Sequence, residues 1–200
     1  MNSAISFVLR KMAVCIKNCR LLIASFYTTL DLSDRNWQDF STLGTRYQNS
    51  YYRSFEQLMK IVDMDSGFFD YFIDVGSGKG RVCLWAAAKT KIPNIIGIEA
   101  NKELHNIALT NIQKQSVQNI ELYNVDARQF NLKSGNSILF YFNSMSPDDF
   151  EIFLHANQKL VGENVILIYS VNDKLSHLDY CLQKIWTDNA LKLSLYKFIV

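Results

Sequence analysis

The chain has 200 residues, of which 48% are hydrophobic and 20% charged, so it can bury the core of one domain, which argues against wholesale disorder. Its 21 basic and 19 acidic residues leave a net charge of +2, which argues against a nucleic-acid-binding surface over the whole molecule. Cys15, Cys19, Cys83 and Cys181 form no CxxC pair and no zinc spacing, and the three histidines do not cluster. We therefore expect buried thiols in the cytoplasm or another reducing compartment, and no metal site.

Residues 5–26 carry apolar side chains at helical spacing together with four basic residues, and no acidic residue precedes Asp31. The charges interrupt the apolar positions too often for a membrane span, and they lie where a signal peptide needs its apolar region. The favoured interpretation is an N-terminal helix docked on the following domain. The other is a basic amphipathic helix that binds a membrane surface or an acidic partner, as a peripheral membrane protein would. We assign residues 1–43 to this helix and its connecting segment, and residues 44–200 to the main domain.

Strands and helices are predicted in alternation after a polar stretch. Strands are expected at 71–75, 94–98, 119–125, 137–142, 164–171, 184–187 and 191–199. Helices are expected near 54–62, at 79–89, 102–115 and 147–160, and as a short element at 175–182. This alternation predicts an α/β, Rossmann-like domain with a five-stranded, mostly parallel sheet and helices on both faces. Only the short link "DNA" joins the last two strands, so they should pair as an antiparallel C-terminal hairpin.

Three of the eight glycines stand in the turn DVGSGKG that follows the first predicted strand, at positions 76, 78 and 80. Glycine lets another group approach the backbone closely, and the helix that follows offers free N–H groups and its positive dipole end. The turn therefore suits a nucleotide, or a nucleoside that bears a carboxylate. It lacks the four-residue spacing and the Gly-Lys-Ser/Thr ending of a phosphate-binding P-loop. A dinucleotide-binding turn would have glycine at position 81, where Arg81 stands, which argues against an NAD(H) oxidoreductase.

Acidic residues follow the next two predicted strands. Glu99 ends the second strand, 19 residues after Gly80, where a carboxylate can accept hydrogen bonds from both hydroxyls of a ribose. Asp126 follows the third strand, where a carboxylate can bind the amino group of an adenine and the backbone of Ala127 can contact the ring. Either acid could instead be a helix N-cap, because acids are favoured at helix starts. The combination with the glycine turn favours cofactor binding.

The turn and both acids resemble those of the class I S-adenosylmethionine (SAM)-dependent methyltransferases, whose first motif reads Asp-x-Gly-x-Gly-x-Gly. The resemblance runs from about Gly44 to the C-terminus. Within that superfamily, FIDVGSGKGRVCLWAA and IIGIEANKELHNIA are similar to small bacterial methyltransferases and to the non-SET, disruptor-of-telomeric-silencing type lysine methyltransferases. The upstream RYQNSYYRSFEQLM resembles the segment that closes over the methionine end of the cofactor, although Gln48 and Asn49 stand where proline is usual.

The resemblance implies SAM as the cofactor and a set of residues that would bind it. These are Asp74, Gly76, Ser77 and Gly78 for the methionine part, Glu99 for the ribose, Asp126 and Ala127 for the adenine, and Asn143 beside the methyl group. Asn143 and Tyr47 are the expected catalytic residues, the first because its side-chain oxygen could orient an acceptor N–H, the second because it could line the acceptor channel. The alternative for Asn143 is a cap before Pro147.

The segment after the fourth predicted strand departs from related enzymes that methylate planar amino groups. Those enzymes carry Asn or Asp followed by two prolines and an aromatic residue, whereas this chain reads Asn143-Ser144-Met145. Without an aromatic ring for base stacking, we expect an amine acceptor, with a protein lysine favoured over nucleic acid. The sequence leaves the identity of that acceptor open. The alternative function is a non-catalytic module that binds SAM and has lost its acceptor site.

Overall fold

The computed structural model describes residues 52–63, 66–142, 144–157, 165–170, 175, 178–189 and 193–198. The predicted N-terminal helix of residues 5–26, the boundary between residues 43 and 44, and the predicted catalytic residues Tyr47 and Asn143 lie outside the described residues. The helix, the boundary and both catalytic assignments therefore stay predictions.

Seven strands form one sheet. They are β1 Tyr71–Val75, β2 Asn94–Ile98, β3 Ile120–Tyr123, β4 Ser137–Phe142, β5 Val165–Ser170, β6 Leu182–Asp188 and β7 Leu193–Phe198. Their order across the sheet is β3-β2-β1-β4-β5-β7-β6. Strands β1 to β5 run parallel, whereas β7 is antiparallel to both β5 and β6. The predicted five-stranded parallel sheet with an antiparallel C-terminal hairpin is confirmed.

The helices of the described part of the chain are α1 Tyr52–Val62, α2 Arg81–Lys89, α3 Lys102–Gln115 and α4 Pro147–Ala156, with a 3₁₀ turn at Ala127–Gln129. Helix α2 begins two residues later than predicted, because Gly80 has a left-handed φ of 78° that cannot continue a right-handed helix. Asn101 caps α3 and Ser146 caps α4, each through its side-chain oxygen. Among these described helices, none combines the length and the apolar character needed to cross a bilayer.

Helices cover both faces of the sheet, as predicted. Successive residues of a strand point to opposite faces, so Phe72 and Ile73 of β1 enter different layers. Ile73 belongs to a hydrophobic cluster that also contains Phe150 of α4. Phe72 packs edge-on against Phe55 of α1 with ring centroids 5.9 Å apart, and Phe55 contacts Trp85 of α2 at 5.8 Å. Burial on both faces explains why these parallel strands read as continuous apolar runs.

The structure describes only part of the predicted short helix at 175–182: Leu178 is in a 3₁₀ helix, Leu175 and residues 179–181 are in turns, and none of these described residues is α-helical. The Leu178 N–H donates to the carbonyl of Leu175 at 2.9 Å, the Cys181 N–H donates to the carbonyl of Leu178 at 3.0 Å, and β6 begins at Leu182. Hydrogen bonds between residues i and i+3 are those of 3₁₀ turns, in which every third residue, here Leu175 and Leu178, lies on the same side. Leu175, Leu178 and Leu182 all join the hydrophobic cluster. In the described residues these leucines therefore lie in buried turns and at the start of β6.

Candidate functional site

The glycine turn between β1 and α2 has positive φ angles of 82°, 54° and 78° at Gly76, Gly78 and Gly80. A Cβ at Gly76 would lie 2.0 Å from the Cβ of Ser144, and a Cβ at Gly80 would lie 3.2 Å from that of Ala108. Ser144 precedes α4 and Ala108 belongs to α3, so two other segments of the chain pack directly on this turn. The sequence predicted that another group approaches the backbone of this turn closely, and Ser144 and Ala108 are two such groups.

Hydrogen bonds hold the segment between β4 and α4 against the turn. Ser144 Oγ donates to the carbonyl oxygen of Val75, the last residue of β1, at 2.6 Å. The hydroxyl of Tyr141 donates to the carbonyl of Met145 and accepts the backbone N–H of the same residue at 3.3 Å. The Tyr141 ring is buried and stacks on Phe150 with centroids 4.3 Å apart. Tyr141 is thus a core residue whose hydroxyl orders the segment.

Glu99, directly after β2, binds the glycine turn. Its Oε2 accepts the backbone N–H of Gly78 at 2.8 Å, and its Oε1 accepts that of Asn101 at 2.7 Å. The N-cap of α3 is Asn101, so the alternative interpretation of Glu99 as a helix N-cap is wrong. Each carboxylate oxygen accepts one of these hydrogen bonds and has a lone pair for another. Burial raises the pKa of Glu99, and the two N–H groups oppose part of that rise.

Buried polar groups lie beneath the turn. Asp74 of β1 is 3% exposed, and the thiol of Cys83 in α2 donates to its Oδ2 at 3.7 Å. Burial raises the pKa of Asp74 to about 7, with the Cys83 hydrogen bond lowering it and the charge of Glu99 raising it further. The Ser77 hydroxyl is buried with no hydrogen-bond partner among the described residues. An unsatisfied buried hydroxyl is costly, so this atom indicates a place for a ligand.

Gly97 of β2 makes room for these polar groups, and our sequence prediction missed it. A Cβ at this position would lie 2.9 Å from Ser77 Oγ and 3.0 Å from Cys83 Sγ. It would also lie 2.6 Å from Cδ2 of Leu122 in β3, so any larger residue would displace this side chain, the hydroxyl or the thiol. The signal was a single glycine inside the apolar strand NIIGI, because glycine within a strand often marks the close approach of another group.

Asp126, after β3, caps the 3₁₀ turn and pairs with Arg128. Its Oδ1 accepts the backbone N–H of Arg128 at 2.9 Å, and the guanidinium donates to both carboxylate oxygens at 2.5 to 3.1 Å. The Arg128 hydrogen bonds hold the pKa of Asp126 below its usual value. Ala127 is buried, and its carbonyl accepts the N–H of Phe130 at 2.9 Å. The N-cap interpretation thus holds for Asp126, and the roles of Asp126 and Ala127 toward adenine stay predictions.

Comparison with known proteins agrees with this geometry. Residues 70–143 match a family model described as "Putative methyltransferase". A solved structure of an RNA methyltransferase from Salinibacter ruber, in complex with S-adenosyl-L-homocysteine, is 17% identical with a TM-score of 0.57 and covers 76% of this chain and 94% of its own. The chain has the fold of the SAM-dependent methyltransferases.

Other solved structures support the same fold. A protein from Escherichia coli, described as a "Putative methyltransferase", is 17% identical with a TM-score of 0.60, covering 78% of this chain and 90% of its own. A SAM-dependent methyltransferase from Aquifex aeolicus is 15% identical with a TM-score of 0.53, covering 72% and 89%. The chain matches no curated protein by sequence.

This fold brings those predicted cofactor residues that the structure describes to the carboxyl edge of three adjacent strands. The turn residues follow β1, Glu99 follows β2, and Asp126 follows β3. Strand order reverses between β1 and β4, and ligands of open α/β sheets bind outside the strand ends at such a point. The unsatisfied Ser77 hydroxyl and the remaining lone pairs of Glu99 fit a ligand with both a polar chain and a sugar diol, as SAM has. Ser144 and Arg128, which support this edge, were not predicted.

Proposed function

We propose that the protein is a SAM-dependent methyltransferase that transfers a methyl group to an amine. The observation that carries the proposal is the 2.8 Å hydrogen bond from the Gly78 N–H to the Glu99 carboxylate. This contact holds an acid beside a glycine turn at the point where strand order reverses. In this proposal Glu99 binds the ribose, and the glycine turn binds the methionine part of the cofactor.

SAM supplies a methyl group that is already activated on a sulfonium, so the protein has to bind and orient rather than to create a nucleophile. Glu99 orients the ribose by accepting its hydroxyls. Ser77 offers its unsatisfied hydroxyl to the methionine part. Asp74, beneath the turn, provides a carboxyl group whose pKa is raised to about 7, and a neighbouring ammonium would lower that pKa and favour the ionised form.

A protein lysine is the acceptor we favour. Between Asn143 and Phe150 the sequence has no aromatic residue, and Phe150 is buried against Tyr141. The segment after β4 therefore offers no exposed ring on which a nucleobase could stack. A lysine must be neutral to attack a methyl group, and removal of water from its surroundings lowers its pKa toward that state. Asn143 keeps its proposed role of orienting the acceptor N–H.

Thermal unfolding with SAM, S-adenosylhomocysteine and NADH tests the cofactor. A ligand that binds only the native state adds about 2.7 kcal/mol at a hundredfold excess over its Kd. We expect the two sulfur ligands, but not NADH, to raise the Tm. Glu99→Ala should abolish this shift, whereas Glu103→Ala, the same change at an exposed position in the first turn of α3, should keep it. Absence of a shift with both sulfur ligands in the wild type would contradict the proposal.

Transfer from methyl-labelled SAM to separated protein and RNA fractions tests the acceptor. Label in protein, with release of S-adenosylhomocysteine, supports the lysine proposal, and label in RNA contradicts it while leaving a methyltransferase. Binding without turnover on either fraction favours the alternative of a non-catalytic SAM-binding module. Asn143→Ala should slow transfer at unchanged cofactor affinity, whereas the matched Asn106→Ala on the exposed side of α3 should not.

A further inference from the structure

Asp126 belongs to an ion-pair network that cofactor binding alone does not explain. Arg128 lies between two carboxylates: Nε and Nη2 face Asp126, and Nη1 donates to Asp149 Oδ1 at 2.9 Å. The other oxygen of Asp149 accepts the hydroxyl of Ser146 at 2.8 Å. Ser146 is the N-cap of α4. The network therefore links the segment after β3 to the start of α4.

Stability does not account for this network. The 3₁₀ turn already packs on α4 through apolar contacts, since Ala127 and Phe150 belong to the same hydrophobic cluster. The side chains of Arg128, Asp126 and Asp149 are 35%, 22% and 28% exposed. Ion pairs with this degree of exposure contribute about 0–1 kcal/mol. The network is better understood by what it does to the carboxylate of Asp126.

Arg128 fixes the orientation of that carboxylate. Its Nε lies 3.0 and 3.1 Å from the two oxygens of Asp126, its Nη2 lies 2.5 Å from Oδ2, and its backbone N–H binds Oδ1. A carboxylate offers about four lone-pair sites; three N–H groups, of which the Nε–H is shared between both oxygens, occupy most of them and set the direction of the rest. The planar guanidinium imposes a plane that a lysine ammonium would not, and Asp149 holds the guanidinium from its other side.

We propose that Arg128 is a positioning residue that makes the cofactor site selective for a purine with an amino group at position 6. A fixed carboxylate accepts a hydrogen bond from a 6-amino group, whereas a 6-oxo group presents a carbonyl oxygen that it repels. A carboxylate free to rotate would turn toward the ring N–H of a 6-oxo purine and lose the discrimination. The inference rests on the proposed function, because it requires Asp126 to face the base of a bound cofactor.

Isothermal titration of the full chain with S-adenosylhomocysteine and with its 6-oxo analogue, S-inosylhomocysteine, measures this selectivity. We expect the wild type to prefer the 6-amino ligand by at least about tenfold, and Arg128→Gln to reduce the ratio below about threefold. Arg128→Lys keeps the charge without the planar fork, so its ratio should be intermediate. Lys133→Gln removes a cation from an exposed ion pair with Glu121, 3.1 Å long, and should leave the ratio unchanged.

An unchanged ratio of the two affinities in Arg128→Gln overturns the inference. An equal loss of both affinities with a parallel fall in Tm also overturns it, because a structural role would affect both ligands alike. A reduction of the affinity ratio in Lys133→Gln as large as that in Arg128→Gln also overturns the inference. If Arg128→Gln does not fold, Asp149→Asn removes the charge behind the guanidinium: a reduced ratio supports the inference and an unchanged one overturns it. A wild type that binds neither ligand contradicts the proposed function, whereas equal binding of both contradicts only the role of Arg128.

Discussion

Replacement of Gly76 by alanine should destabilise the protein through a clash as well as through backbone strain. Gly76 has a φ of 82°, where a Cβ costs about 1–2 kcal/mol. The new Cβ would lie 2.0 Å from Ser144 Cβ and 2.7 Å from Ser144 Oγ, and overpacking of this kind costs about 1–3 kcal/mol. A shift of Ser144 would also weaken its 2.6 Å hydrogen bond to Val75, worth about 1 kcal/mol. We expect the free energy of unfolding to fall by about 2–5 kcal/mol, after allowance for the lower unfolded-state entropy of alanine.

Two variants separate the clash from the strain. Gly67 has a φ of 77° and nothing within 4 Å of an added Cβ, so Gly67→Ala should cost only about 1 kcal/mol. Ser144→Gly should partly rescue Gly76→Ala, because it removes the Cβ that the alanine meets. Urea unfolding with fitted m-values gives each free energy and the coupling between the two sites. The reasoning is refuted if Gly76→Ala costs no more than Gly67→Ala, or if Ser144→Gly deepens its defect.

Asp74, Asn157 and the N-terminal region each allow a further measurement. Burial raises the folded-state pKa of Asp74 from 3.8 to about 7, so the folded state holds the proton more tightly. Between about pH 4 and pH 7 the free energy of unfolding of the wild type should therefore fall relative to that of Asp74→Asn, by up to about 1.4 kcal/mol per pH unit, and the difference should be constant at higher pH. Equal pH dependence of the two free energies in urea unfolding would contradict this. The fully buried amide of Asn157 binds three backbone groups, so Asn157→Ala should lower the free energy of unfolding by about 2–4 kcal/mol, and a change below about 1 kcal/mol would contradict this count. Deletion of residues 1–30 should lower the Tm if that region docks; an unchanged Tm with lost binding to anionic vesicles would favour the membrane interpretation.

The sequence alone determined the parallel sheet and the strand-end positions of its acids. Short apolar runs such as NIIGI specify buried strands, and the length of the links between them decides parallel or antiparallel pairing. Both signals are local, so β2 and α3 begin and end where they were predicted. The position of Glu99 at the end of β2 follows from the same patterns. The contact of Glu99 with the glycine turn did not, because it joins residues 21 positions apart.

Tertiary structure decided what the glycines accommodate and how the site is supported. The absence of a side chain at Gly76 leaves room for Ser144, and its absence at Gly97 leaves room for Ser77 and Cys83. These contacts join segments that are distant in sequence, and a missing side chain leaves no periodic signal of its partner. The same holds for Arg128, whose bond to Asp149 depends on how the 3₁₀ turn packs against α4. The described residues of the predicted helix at 175–182 form a 3₁₀ turn and other turns before β6, because burial can place residues on one side of such turns as well as of an α-helix. Periodicity reports which residues are buried, whereas only the packed structure determines what they are buried against.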